Sequence, residues 1–259
     1  FFHDFVTSGI VRTNLGTVVT DLHMQFPDRG PSIYSGKVNT NNFQLGRFLN
    51  DKNLGNISFN GKVDGKGFSS DNVDLTLDGN VRQIDYNNYN YQNISAKGNF
   101  KNEIFNGTVS IDDPNIKIDG LTGSIDLSGK QPIYNFDAAV ARLNLKNLNL
   151  TNENFLLTGR FNLNFSGNDI DNFLGTAKIY NATLLAGDQK LSFDYLNINS
   201  TILIGKKFLS IESNEFAATL AGNFKIMELP DAFQLLLNRY YPAYINKPKR
   251  SILAQNFTF

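Results

Sequence analysis

Apolar and polar residues alternate along most of this chain, and one five-residue motif recurs within the alternation: apolar, any, glycine, any, apolar. It reads Tyr34-Ser35-Gly36-Lys37-Val38, Phe59-Asn60-Gly61-Lys62-Val63, Leu77-Asp78-Gly79-Asn80-Val81 and Ala96-Lys97-Gly98-Asn99-Phe100. It returns around Gly107, Gly159 and Gly222. Side chains on a strand point alternately to opposite faces, so each glycine shares a face with the two apolar residues that flank it. Asn, Lys, Asp, Thr and Ser occupy the other face.

The alternation predicts strands near 6–12, 16–25, 33–44, 55–65, 71–86, 89–101, 103–111, 115–126 and 133–145. More follow near 153–166, 173–185, 190–204, 206–212 and 215–226, and the closing residues 256–259 read as the opening of another. Pairs such as Asn87-Asn88 and Gly129-Lys130 supply turns of an antiparallel meander. Three interruptions read as helical: 45–49, 169–173 and an amphipathic helix near 229–241. The last opens on Pro230 and Asp231, places Phe233, Leu236, Leu237 and Tyr240 on one stripe, and stops at Pro242.

These elements define an all-β chain, with residues 1–259 forming a single elongated module. About fourteen strands at ~4.8 Å spacing give a sheet near ~65 Å long, which must curl. The shared parity puts one set of side chains on a common concave apolar face. Val38, Ile57, Phe59, Val63, Leu75 and Leu77 open it. Val81, Ile94, Phe100, Phe105, Val109 and Ile118 continue it, and Leu157, Phe161, Leu163, Leu220 and Phe224 complete it. Glycines on that face relieve crowding and are expected to leave lengthwise channels. The ordinary alternative is that this face is simply core beneath a second sheet.

Charge changes the picture by exclusion. Acidic and basic residues balance, 24 against 24, with no basic patch for nucleic acid. Cysteine is absent, which removes thiolate metal sites and thiol catalysis, and tryptophan is absent too. His3 and His23 stand in separate segments and do not read as a catalytic or metal centre. Asp112-Asp113-Pro114-Asn115 and Asn168-Asp169-Ile170-Asp171-Asn172 resemble pieces of calcium loops but lack the glycine and terminal glutamate. Tyr86, Tyr89 and Tyr91 read as cross-strand packing at a hairpin tip. No enzyme, metal or cofactor is expected.

Read together, residues from Tyr34 to Leu150 and from Phe155 to Tyr244 resemble the TamB family, part of the AsmA-like group of bacterial envelope proteins, in its Bacteroidetes form. The likeness is carried by the stretches 41–49, 54–63 and 113–126, by Leu157-Thr-Gly-Arg-Phe-Asn-Leu-Asn-Phe-Ser-Gly167, and by Asp171-Asn-Phe-Leu-Gly-Thr-Ala177, Leu220–Phe224 and Leu229–Phe233. It implies a fragment of a longer protein, anchored in the inner membrane by a segment outside this chain and spanning the periplasm. The implied fold is a half-open tube, the β-taco. The implied partners are phospholipid acyl chains in the apolar groove, both membranes through parts outside the fragment, and an outer-membrane barrel protein. The implied role is non-enzymatic lipid transport in outer-membrane biogenesis. Two rivals stand beside it: a periplasmic platform that assembles outer-membrane proteins by strand pairing, and a surface adhesin or carbohydrate-binding β-protein.

Overall fold

The computed structural model describes residues 3–69, 72–167, 170–248 and 256–258. The strands are β1 (Asp4–Thr13), β2 (Gly16–Gln25), β3 (Ile33–Asn41), the two-residue β4 (Phe43–Gln44), β5 (Leu54–Lys66), β6 (Asp74–Tyr86), β7 (Tyr89–Lys101) and β8 (Ile104–Asp112). Then come β9 (Ile116–Asp126), β10 (Ile133–Asn144), β11 (Phe155–Ser166), β12 (Leu174–Ala186), β13 (Gln189–Leu203), β14 (Lys206–Ser213), β15 (Ala217–Asn223) and β16 (Asn256–Thr258). Helix α1 (Leu45–Leu49) follows β4, and α2 (Leu229–Tyr240) follows β15. Single 3-10 turns occupy Ile170–Asn172 and Ile226–Glu228.

All strands join one antiparallel sheet in sequence order, with β4 branching onto β5. The sheet does not close: β1 has a neighbour on one side only. The expected strands are present with shifts of a few residues at their ends. The expected third strand is divided, because Asn42 at φ +52° turns the chain between β3 and β4. Of the expected helical turn at 169–173, residues 170–172 form a 3-10 turn, and Asn168 and Asp169 lie outside the described residues. Residue 71, where the fifth strand was expected to begin, also lies outside them.

Register turns the repeated motif into rows that cross the sheet. One runs Val38, Gly61, Gly79, Ala96, Val109, Leu121, Ala138, Phe161, Ile179, Leu196. A second runs Tyr34, Gly65, Leu75, Phe100, Phe105, Ile125, Tyr134, Phe165, Gly175, Ser200, Leu209, Leu220. The opposite face carries rows such as Ser35, Asp64, Thr76, Asn99, Asn106, Ser124, Asn135, Asn164, Thr176, Asn199, Ser210, Thr219. A single sheet therefore has one apolar and one polar side from β3 to β15.

A line of register shifts crosses the sheet at one level. It passes between Ser58 and Phe59 against β6, between Val109 and Ile111 against β9, between Val140 and Leu143 against β11, and between Thr158 and Arg160 against β12. Asn93 at φ +51° and Asn181 at φ +48° stand on the same line. A bulge bends its strand and raises the local twist. Bulges aligned from strand to strand therefore crease the sheet lengthwise. A shift resets side-chain parity on the strand that holds the extra residue, so Ile84, three residues after Val81, still faces the apolar side opposite Ile57.

The glycine notches are not empty, contrary to the sequence expectation of open channels. A Cβ on Gly61 would lie 2.6 Å from the Phe59 ring and 2.6 Å from Gly79 Cα. A Cβ on Gly107 would lie 2.8 Å from the Phe105 ring and 2.7 Å from Gly98 Cα. Each phenylalanine lies back over a cross-strand glycine pair, an aromatic cover that a Cβ would displace. Gly79→Val should cost about 1–3 kcal/mol, because its Cβ alone would lie 2.7 Å from Gly61 Cα and 2.7 Å from the Phe59 ring; urea unfolding reads the loss.

The upper rim is held by a polar latch. Asp113, 1% exposed, accepts hydrogen bonds from Tyr89 Oη (2.6 Å), Asn115 N (2.8 Å) and Gln92 N (3.0 Å). Asn115 donates back to Tyr89 Oη, and Asn147 donates to Asn115, joining the 145–150 loop to the β6–β7 hairpin. Burial, then the Asp113 hydrogen bond, raises the Tyr89 phenol above its ordinary pKa. Tyr89→Phe strips a donor from a buried carboxylate and should cost about 1–3 kcal/mol. Matched thermal melts of wild type and variant measure it.

Candidate functional site: an apolar trough

The crease folds the apolar side into a trough that runs across the strands. All seventeen nominated residues share this side. Val38, Val109 and Phe161 lie on the first row, and Leu75, Phe100, Phe105 and Leu220 on the second. Val63, Leu77 and Leu163 lie on a row between them, with Gly98, Gly107 and Gly123. Phe59, Val81, Ile94 and Ile118 follow the crease, and Ile57 and Leu157 lie beyond it. Phe224 follows β15 and packs with Leu209 and Leu220.

Burial along the trough is graded. At β1 the inward Phe5 and Val11 are 36% and 45% exposed, while at β14 the inward Leu209 is 1% exposed. The difference is a plug: Phe224 clusters with Leu209 and Leu220, and Ile198, Ile211, Ile226 and Leu229 pack against that cluster. Just before the plug lies a cavity of about 490 Å³ lined by Tyr134, Phe161, Leu163, Phe165, Phe173, Ala177, Ile179, Ile198, Leu209, Ile211 and Ile226. Aromatic pairs narrow the lower side. Tyr134 stacks on Phe165 at 4.8 Å, Phe165 meets Phe173 at 5.1 Å, and Tyr34 stacks on Phe68 at 4.8 Å. Tyr34 Oη donates to Gly67 O, and burial, then the Asp74 carboxylate, raises the Tyr34 phenol.

Fixed charge is kept off this wall. Along the paired inward rows from β2 to β15, Lys207 is the one Lys, Arg, His, Asp or Glu among the described residues, and its ammonium reaches out to Asp171 O. The charges lie outside: Lys97 pairs with Asp78 at 3.1 Å, and Lys101 with Asp74 at 2.8 Å. A further cavity of about 540 Å³ near Asn39, Asn60, Asn80 and Arg82 is lined largely by polar residues of the opposite face.

The remaining sequence candidates fall elsewhere. His23 hydrogen-bonds Asp4, and His3 meets Phe26 O and Asp28, at the open β1–β2 edge. Asp113 is the latch anchor, its oxygens taken by protein donors. Tyr89 and Tyr91 meet edge to face at 4.7 Å, next to Tyr86. Among the described residues no group of three or more His, Asp or Glu converges. Among the described residues no helix is long and apolar enough to cross a membrane.

Sequence reading missed most of the far wall: Tyr134, Phe136, Ile179, Ile198, Leu209 and Ile211. Alternation in β10 would have found Tyr134 and Phe136. In β12 and β13 the parity reset at Asn181 breaks the period of two, so Ile179 and Ala182 share a side that simple counting separates. No family model, curated protein or solved structure matches the chain.

The gradient predicts unequal costs for one substitution. Leu209→Ala leaves a cavity in a closed cluster and should cost about 2–5 kcal/mol. Leu77→Ala, on the half-open stretch, should cost less than half as much. Paired denaturant titrations give both values.

Proposed function

We propose that this chain is a non-enzymatic, lipid-conducting segment of a TamB/AsmA-like bridge in a bacterial envelope, moving phospholipids between inner and outer membrane. The observation that carries this reading is the apolar trough, which among the described residues carries no fixed charge on its inward rows other than Lys207 and is open along much of its length. An acyl chain in water costs about 0.8 kcal/mol per CH₂, and an apolar wall removes that cost along the route. The length, ~65 Å, is about four leaflet thicknesses at ~15 Å each, room for several lipids in file. Transfer also requires shallow wells, and a wall of aliphatic and phenyl groups without charges supplies them.

The strand-pairing reading has one observation in its favour. β1 has an open edge and is apolar on both sides, with Val6 and Ile10 exposed on the face that is polar elsewhere. An extended segment of a barrel protein adding at that edge would gain backbone pairing and apolar cover. That mechanism depends on β1 and is indifferent to the trough interior.

Leu77→Asp separates the two. Leu77 is half-buried in the open stretch, so a carboxylate there stays hydrated, and the fold should lose only about 1–2 kcal/mol. Leu209→Asp buries an unpaired charge and should cost more than about 4 kcal/mol. In the conduit, tails must pass the Leu77→Asp carboxylate, and a barrier near 3 kcal/mol slows transfer by roughly a hundredfold. Native mass spectrometry of gently extracted protein should find acyl lipid on wild type and little on the folded variant. A stable Leu77→Asp protein that keeps its lipid and full activity would sink the conduit.

A further inference from the structure

Two features at one end of the sheet carry exposed apolar side chains. The first is the turn between β13 and β14. Leu203 pairs with Lys206 around a two-residue loop, Ile204-Gly205, with φ +51° and +72°. Two positive values are the requirement of a type I′ turn, which favours asparagine or glycine. The same chain makes the same kind of loop at Asn87-Asn88 and Asn102-Glu103, with asparagine first each time. A β-branched side chain is crowded at positive φ. Ile204 nevertheless stands there, fully exposed, after the exposed Ile202 and Leu203. An unfavourable residue that gains no burial within its own fold points to burial against something else.

The second feature is α2. It leaves from the same end, since Gly222 near the close of β15 pairs with Lys207 near the start of β14. Its first half is partly covered, but Leu235, Leu236 and Leu237 are exposed, and Tyr240, Tyr241 and Tyr244 follow, also exposed. Leu236, Leu237 and Tyr240 form one stripe. Exposed Lys206, Arg239 and Lys247 flank these groups, and the single acid from 229 to 248 is Asp231, at the far end of the helix. Aliphatic tips set among tyrosines and cations are the residue types that a bilayer interface accepts, at its acyl boundary, headgroup level and phosphates respectively.

We propose that this end of the sheet docks onto an anionic bilayer surface, with the Ile202–Ile204 tip and the Leu236–Tyr240 stripe entering the headgroup region. The geometry stands without the conduit reading; only its purpose, bringing the trough to a membrane, rests on it. Tip and stripe are too short to span and fit reversible interfacial binding.

Flotation of the full chain with vesicles tests this. One set contains about three parts phosphatidylethanolamine to one part phosphatidylglycerol, the other phosphatidylcholine alone. Wild type should float with the anionic set and at least about fivefold less with the neutral set, and about 0.5 M salt should release it. Ile204→Asn should raise the Tm by about 2–4 °C, because the turn gains its preferred residue, and still cut the bound fraction about threefold or more. Leu236→Ser with Leu237→Ser should cut it about tenfold. If that double variant does not fold, Ile204→Asn decides alone. Failure of wild type to float with anionic vesicles overturns the proposal. So does flotation that neither variant changes, the result expected if a protein covers this surface. Protein that floats but carries no acyl lipid in native mass spectrometry would uphold the docking and remove the conduit. Lipid-loaded protein that does not float would do the reverse.

Discussion

Everything in this structure follows from an apolar face that, among the described residues, has no second layer to cover it. A flat single sheet would leave that face in water, and an open sheet of this many strands must in any case coil. Here the coil has a direction. The aligned bulges place the sharpest bend of successive strands on one line, and the apolar side closes toward itself. Burial then depends on how far each stretch curls and on what crosses it. At β1 little does, and phenylalanine and valine stay exposed. At β13–β15 the plug from Phe224 to Leu229 completes the cover, and the wall becomes an ordinary core.

The same constraint explains the side-chain sizes. The inner side of a bent sheet has less room than the outer side. The middle rows therefore carry Gly61, Gly79 and Ala96 in one and Gly98, Gly107 and Gly123 in the next, with larger residues such as Val109 and Leu77 further along the same rows. Where two glycines meet across strands, a phenylalanine from the same face lies over the pair and excludes water from the exposed backbone. Small residue and covering ring work as one unit, and neither makes sense alone. The outer rows have room to spare and carry Asn, Ser, Thr and exposed ion pairs.

Strand positions, the accessory helix and the common face of the nominated residues were legible in the sequence, because a period of two survives wherever a strand is regular. Three things were not. The crease depends on one extra residue in some of the strands, and Asn93 or Asn181 looks the same in sequence as any turn asparagine. The glycine notches read as gaps, since the fold of a phenylalanine side chain back over its own strand leaves no trace in spacing. The wall from β12 to β14 lacked the glycine motif and changed parity midway, so its residues were left out.

The crease and the meander divide the geometry into two independent quantities. Width belongs to the individual strand: where its extra residue sits sets where it bends, and so the calibre of the trough. Length belongs to the number of strands, because successive pairs are joined locally and no closure condition links the first to the last. Adding one hairpin would extend the trough by about 10 Å and leave its cross-section as it was. A closed barrel has no such freedom, since every added strand widens it. An open creased sheet can therefore be lengthened by duplication of a hairpin, in small steps, to match a gap of almost any size.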